Sequence, residues 1–455
     1  MTTRNHLNRM AILLAAVILT SLAARPAAAQ GATPSQQPSY TLPEYNAEQA
    51  AAAEKDPAAR VKLLDAFVTQ FPNSTLMQYI YSFYYPAYYQ LKNYAKAVEY
   101  ADKLIGLGDK ADAALRVQAI RDRIQLFPFA FKSDAPDAHD QLTRERDAAL
   151  LGVKLLPDLQ KANPKVTDAD VKTLTSSFQG AAGVADMQLK DYAAAETAFK
   201  AQLALNPNDA VASYRLGLAY LQSSPAQSLD GFWSLARAVN LKIPDSDKVK
   251  DYLRKSVINY EQPNCDALVD AQLSEMLQLA AGATDRPATY TIPSAADIQK
   301  VAQASTIISV IGDLSGGGDK AKLTWLAVCG AEFPEVVGKI IDVKKSDSFV
   351  DVLVFTSASS DEIQAATTAN MDVKVWTAAP PAGATTAQVT PQPDVVRVQK
   401  DDEIRFSGTL VSYDPSPFLL HWDMSKVDPT TIPAEKGTPA RRPAPHRAAP
   451  KPTGN

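Results

Sequence analysis

Apolar residues recur with a helical period through the first two thirds of the chain, and beyond Pro334 the period drops to two. Between residues 46 and 284, stripes such as Leu115, Ile120 and Ile124, or Leu142, Leu150 and Val153, predict amphipathic helices. Phe71-Pro72-Asn73-Ser74 and Pro207 each stop a helix, and Gly282 closes the last. Residues 283–297 carry several breakers and no stripe, so a boundary is placed there. Ala296 to Gly312 reads as one short helix, 315–319 (SGGGD) as a loop, and Ala321 to Cys329 as one or two more turns. The runs 335–346, 348–357, 371–378, 395–399, 402–414 and 418–423 are β-branched or aromatic and end at Gly, Pro, Asp or Ser. They predict five or six short strands, with a short helix between Ser360 and Asn370. Gly338 and Gly408 inside strands suit a small barrel of coiling strands, with a β-sandwich as the alternative.

The two ends of the chain behave differently. Arg4 and Arg9 precede an apolar run from Met10 to Leu22, and Ala27-Ala28-Ala29 follows as a small-residue cleavage pattern. The run is too short to cross a ~30 Å hydrocarbon core, so 1–29 reads as a cleaved signal peptide. No Cys follows it, so no lipobox is present, and the mature chain is expected in the periplasm or the medium. No later stretch is long and apolar enough for a spanning helix, so a membrane-spanning protein is not expected. Residues 30–45 read as a linker. Residues 434–455 read as a disordered, Pro-rich tail carrying Lys436, Arg441, Arg442, Arg447 and Lys451 with no acid from Lys436 onward. Either it merely solubilises, or it tethers the chain to cell-wall polymer or another anionic surface.

Self-similarity gives the helices an architecture. Gly183, Tyr192, Ala195, Phe199 and Pro207 are followed 34 residues on by a second unit with Tyr214, Leu216, Gly217 and Tyr220, then Trp233 and Ala236. An earlier unit has Tyr84, Tyr88, Tyr94 and Ala97 in the matching places. Such glycines let paired helices approach, the alanines fill the crossing, and the aromatics lock neighbouring pairs. The spacing resembles the tetratricopeptide (TPR) repeat, across about residues 46–284, though Ser223-Ser224-Pro225 replaces the usual short turn. Between 112 and 175 the match fades, leaving divergent repeats or an insertion. The strand pattern of 335–433 resembles an oligonucleotide/oligosaccharide-binding (OB) barrel. The expected fold class is therefore α+β multidomain: a TPR-like helical superhelix over 46–284, a linker and connecting helices over 285–334, and a small OB-like β-barrel over 335–433.

The TPR resemblance implies a binding scaffold whose concave surface, lined by the first helix of each pair, holds a protein or peptide. Mapped by repeat position, the candidate contact residues are Tyr79, Ser82 and Tyr89, then Ser177 and Met187, then Tyr214 and Leu221. The segment 79–89 packs seven aromatics into eleven residues, too many for one stripe, so they either line a groove for a Pro-rich or hydrophobic peptide or pack against the neighbouring helices.

Charge and candidate chemistry narrow the function. With 46 Lys and Arg against 50 Asp and Glu, the chain lacks the basic excess of a general nucleic-acid binder. Residues 335–433 hold eight basic against fourteen acidic side chains, which opposes an anionic ligand even though Phe349, Trp376, Phe406, Tyr413 and Trp422 offer rings. GDLSGGGDK (312–320) lacks the Lys-Ser/Thr pair of a phosphate loop, and no G-x-S-x-G, H-E-x-x-H or EF-hand spacing occurs. His139 and His421 fall in different expected domains, and Asp401-Asp402-Glu403 adjoin in a turn. No catalytic residue, metal or cofactor is expected, and the chain reads as a non-enzymatic adaptor of the cell envelope. A structural subunit of an envelope or secretion complex, or a carbohydrate-active envelope enzyme, is the alternative. Cys265 and Cys329 are either a disulfide across the expected boundary or two small buried hydrophobes.

Overall fold

Side-chain caps set the helix starts. Thr41 Oγ1 accepts from Glu44 N while the Glu44 carboxylate accepts from Thr41 N at 2.5 Å. The same reciprocal box joins Thr167 and Asp170, while Asp56, Asn93, Asp191 and Asp209 cap alone. In this computed structural model, residues 39–381 and 389–435 are described. The expected signal peptide and the basic tail from Lys436 lie outside them. Two compact units divide the described residues: one holds 39–256 together with Leu273–Thr291, the other Val257–Gln272 together with the described residues from Ile292 onward. The helix expected to start after a linker ending at residue 45 already begins at Leu42, because Thr41 supplies the cap.

The first unit is a run of antiparallel helix pairs. These are α1 (Leu42–Ala53) with α2 (Pro57–Gln70), α3 (Met77–Gln90) with α4 (Tyr94–Gly106), and α5 (Ala113–Ala130) with α6 (Ala138–Ala162). Then come α7 (Asp168–Leu189) with α8 (Tyr192–Leu205), and α9 (Ala210–Gln222) with α10 (Ser228–Asn240). The stretch where the repeat pattern fades is thus another hairpin, its helices lengthened. Every helix touches the next, and α1, α3, α5, α7 and α9 also touch their odd-numbered neighbours. The odd-numbered helices thus form one continuous layer. The turns after α3 and α7 share one local solution: Lys92 and Lys190 take positive φ (57° and 64°). Asn93 N and Asp191 N then each donate back to the carbonyl five residues earlier, closing the helix end.

Packing explains the small residues. A Cβ on Gly183 would lie 2.6 Å from the buried Phe199 ring, and one on Gly217 2.9 Å from Leu235 and 3.0 Å from the Gly231 carbonyl. Ala97, Ala195 and Ala236 are fully buried at the crossings. One buried ionic knot reinforces three successive helices: Arg123 of α5, 1% exposed, donates from Nε to Asp102 of α4 at 2.5 Å and from Nη1 to Glu145 of α6.

The helices α11 (Ser246–Glu261) and α12 (Ala267–Gly282) are each divided between the two units. The second unit also carries α13 (Ala295–Ala304), α14 (Ile307–Gly316) and α15 (Gly318–Val328), then β1 (Glu332–Lys345), β2 (Phe349–Phe355), α16 (Ser360–Ala365) and β3 (Met371–Trp376). After these come β4 (Glu403–Pro415) and β5 (Phe418–Val427). The strands close into a barrel in the order β1-β2-β3-β5-β4, with β3 and β5 parallel and the other pairs antiparallel. Val336, Val352, Val373, Phe406 and Trp422 fill it, continuous with Val310 and Leu326 of the helices. A Cβ on Gly338 would meet Val354 at 2.5 Å, so that glycine permits the close approach of β1 and β2.

Three local expectations are corrected. Residues 395–399 form no strand: Pro393 starts a 3-10 turn over Pro393–Arg397, which puts Val395 and Val398 together in the core and leaves Val396 42% exposed. The single helix over 296–312 is two, because Thr306 caps a new start with Ser309. The loop at 315–319 shrinks to a turn at Gly317 and Gly318, both at positive φ.

Two stability outcomes follow from this packing. Gly183→Ala is expected to lower stability by about 1–3 kcal/mol in denaturant titration, whereas Gly312→Ala, whose Cβ meets nothing within 4 Å, raises it by about 0.5–1 kcal/mol. Arg123→Ala strands the buried Glu145 carboxylate, while Asp102 keeps Arg144 at 3.8 Å, and is expected to cost roughly 3–5 kcal/mol; the apolar triple Arg123→Met, Asp102→Leu, Glu145→Met recovers most of the loss.

Candidate functional site

The odd-numbered layer carries the candidate site. The eleven-residue aromatic segment lies in α3 and divides between two tasks. Tyr84 is fully buried: its hydroxyl donates to Asp65 of α2 at 2.6 Å and its ring stacks on Tyr100 of α4 at 3.7 Å. Tyr88 stacks on the same Tyr100. On another side of α3, Ser82 and Tyr85 face Gln118 and Asp122 of α5 across a narrow cleft of about 20 Å³, lined also by Leu104 and Leu115.

Asp122 gives the cleft its character. The residue is 6% exposed, and Gln118 Nε2 donates to its two oxygens at 2.9 and 2.7 Å. Burial raises its carboxyl above the ordinary value, offset in part by Gln118 and then by Arg121. Burial also raises the Tyr85 phenol, with the Asp122 charge adding to the effect. At the far end Tyr89 is 52% and Phe129 61% exposed, bridged by Tyr94 with ring centroids 6.1 and 5.4 Å away.

The structure places the sequence candidates unevenly. Ser82 lines the cleft, its hydroxyl donating to the Tyr79 carbonyl at 2.7 Å, and Tyr89 stands in solvent beside it. Tyr79 is half-buried and packs on the α1–α3 core. Met187 packs half-buried on the α7–α9 core, Ser177 is exposed on α7, and Tyr214 is half-buried with its phenol raised by burial. Leu221 turns into its own hairpin, where it fills the space a Gly231 side chain would need, because Gly231 lets α9 and α10 close there. Ser82 and Tyr89 are therefore brought together with Tyr85, Gln118, Asp122 and Phe129, none of which the repeat mapping named. Gln118, Asp122 and Phe129 fall at i, i+4 and i+11 on α5, a stripe legible only once the helix and its partner are known.

Elsewhere the polar groups serve the fold. Cys265 and Cys329 are bonded to each other, and both belong to the second unit, because Val257–Gln272 clusters with the barrel. Lys320 pairs with Asp313 at 2.7 Å, and Thr324 donates to the same carboxylate. His139 is exposed, with Asp140 at 3.9 Å. His421 lies between Asp414 at 2.9 Å and Asp372 at 3.4 Å on the β5 surface. Among the described residues no group of His, Cys, Asp and Glu has the arrangement of a metal site, and no helix is long and apolar enough to cross a membrane. Two further buried carboxyls are raised by burial, Asp186 to about 6 and Glu261 to about 7.

Fold and site together define an α+β protein in which stacked helical hairpins and a closed five-stranded barrel occur in one chain. No protein-family model matches the sequence, and no curated protein matches it. Among solved structures the chain is similar to a thermophilic TPR protein of Thermus thermophilus, with 15% identity, 47% of this chain and 99% of that one covered, and a TM-score of 0.23. It is also similar to the C-terminal part of a TPR repeat-containing protein from Cytophaga hutchinsonii, with 16% identity, 52% and 94% covered, and a TM-score of 0.23. Scores this low leave the helices of the chain itself as the grounds for a repeat array.

Glu261 supplies a pH test. The residue is fully buried, and its carboxyl sits at about 7 against an ordinary 4.5, with burial the first cause and Gln272 beside it pulling the other way. The folded state thus binds a proton that the unfolded chain releases between these values. The contribution is complete below pH 4.5, falls as pH rises, and is gone above 7; the span is about 3 kcal/mol. Glu261→Gln is expected to flatten that part of the stability–pH curve measured by denaturant titration.

Proposed function

We propose that this chain is an exported, non-enzymatic TPR-like scaffold that holds an extended segment of an envelope protein against its odd-numbered helices. One observation carries the proposal: the odd-numbered helix layer keeps the rings of Tyr89 and Phe129 in solvent, where a finished core would have covered them. Export is supported by the leader pattern of residues 1–29 and by the Cys265–Cys329 bond, which suits an oxidising compartment. The barrel is read as OB-like on its strand order and its parallel β3–β5 pair, and serves as a second contact module or a rigid cap. The basic tail adds a tether to anionic envelope polymer.

A photo-crosslinking amino acid placed at position 89, and separately at exposed Thr69 on α2, tests the groove in intact cells. A defined adduct is expected from position 89 and none from 69; equal labelling at both sites removes the groove from the account. N-terminal sequencing of the protein recovered from the periplasm is expected to begin at Gln30, and a chain still starting at Met1 ends the export reading.

A further inference from the structure

We infer that the segment Val257–Gln272 is a latch closed in two ways, by the Cys265–Cys329 bond and by a proton held on Glu261. It opens when a dithiol reductant breaks the bond while Glu261 is ionised. The segment runs from the last turns of α11 through the turn at 262–266 into α12. This latch owes nothing to the partner-binding reading above.

The buried carboxyl is the first ground. Glu261 ends α11 fully buried, and Gln272 of α12 is close enough to pull its carboxyl down against the larger upward effect of burial. Both carboxylate oxygens and Gln272 Oε1 nevertheless meet no donor at hydrogen-bond geometry among the described residues. Three neighbouring acceptors without a donor make a costly interior. A proton on Glu261 turns it into a donor, with Gln272 Oε1 as the acceptor. Ionised, it leaves all three unpaired, and water becomes the better surroundings. The other titratable groups beside it hold their charge through the neutral range. The Tyr260 phenol, raised by burial and then by the charges of Asp297 and Glu261, stays neutral; Asp297 of α13, held low by the Ser294 cap, stays ionised. Arg254, Asp266, Asp270 and Glu275, along the same two helices and their turn, make contacts of their own.

The bond is the second ground. Cys265 stands part-exposed in the turn, while Cys329 at the end of α15 is 5% exposed, so a reductant's thiolate reaches Cys265 Sγ. That attack breaks the S–S bond, and its electron pair leaves on Cys329, which takes up a proton. The reductant's second thiol then attacks the mixed disulfide: Cys265 is released as a thiol, the dithiol ends as a disulfide, and two electrons have passed to the protein. Without the bond the turn keeps Asn264 Nδ2, which donates to the Ala327 carbonyl at 3.0 Å, and Leu268, which packs against the barrel core. Against these stands Gln262 at φ 48°, a left-handed backbone that a non-glycine residue adopts at a cost.

Hydrogen exchange read by mass spectrometry on the full-length protein tests the latch at pH 5.5 and pH 8, with and without dithiothreitol. Rates are corrected for the intrinsic pH dependence of amide exchange, and β2 is the internal reference. With the bond intact, 257–272 is expected to exchange no faster than β2 at either pH. After reduction it is expected to outpace β2 at pH 8 and to exchange about 25-fold faster there than at pH 5.5. That factor follows from a carboxyl at about 7 in the closed segment and 4.5 in the open one. Glu261→Gln, whose amide donates where the protonated acid does, is expected to remove the factor. Should that variant fail to fold, the pH course of the reduced natural protein decides: levelling off near 7 is expected, and a rise that continues into the thiol range near ~8.5 overturns the latch. Exchange of the segment together with β2 under all four conditions also overturns it. So does a pH factor that survives Glu261→Gln, or a reduced protein in which β2 is lost along with the segment.

Discussion

The Phe199 ring occupies the place where Gly183 would otherwise carry a side chain, and the helical unit is organised around contacts of that kind. A helix pair brought so close buries one face between its members and leaves another apolar face that only the next pair can cover. Tyr84 shows the consequence. Its ring and hydroxyl are shared between α2 and α4, so the α3–α4 hairpin is completed by what precedes it. Once each odd-numbered helix is drawn against the next odd one, their remaining faces form a continuous layer. Side chains there are spared from the core and free to be chemical.

Arg123 and Asp122 are adjacent in sequence and perform opposite tasks. On a helix, consecutive side chains are about 100° apart, so fixing one fixes the direction of the other. Arg123 is held between Asp102 and Glu145 in the interior, and this sets the rotation of α5 about its axis. Asp122 is thereby turned to the α3 side, against the cleft. A buried ion pair is weak evidence for stability, but it is well suited to specifying register and orientation. Here the feature it orients is the carboxylate of the candidate site.

The readable parts of this sequence were those whose cause is local. Gly183, Gly217, Ala97 and Ala195 sit at fixed distances from the aromatics they serve, and strand alternation beyond Pro334 needs no partner to be seen. The 395–399 segment misled because VVRVQ has strand composition, while Pro393 and the i, i+3 pair Val395 and Val398 impose a 3-10 turn. The candidate site was half legible: repeat mapping named Ser82 and Tyr89 on α3, but the opposing wall of the cleft lies on α5, inside the stretch where the repeat pattern fades. Asp122 there looks like any acid in a charged run (RDR), and the α3 side chains it faces, Ser82 and Tyr85, are tens of residues distant. The ionic knot was hidden for the same reason, since Asp102, Arg123 and Glu145 come together only when three helices pack.

The barrel and the helical layer differ in what they leave for a partner. Of the barrel's rings, Phe406 and Trp422 point into the core, and Trp376 is 5% exposed with its indole N–H donating to Asp423 at 2.8 Å. The Lys374 ammonium already covers Phe349 at 4.9 Å. The acids between these rings, Asp351 and Asp372, share their surface with Lys374 and His421. Stacking faces are thus mostly consumed by the barrel itself, and the negative balance of the domain opposes a polyanion. On the helical layer the order is reversed: Tyr89 and Phe129 keep their rings in water. Recognition draws its energy from groups left incomplete by folding, and the exposed rings of that kind stand on the helices rather than on the strands.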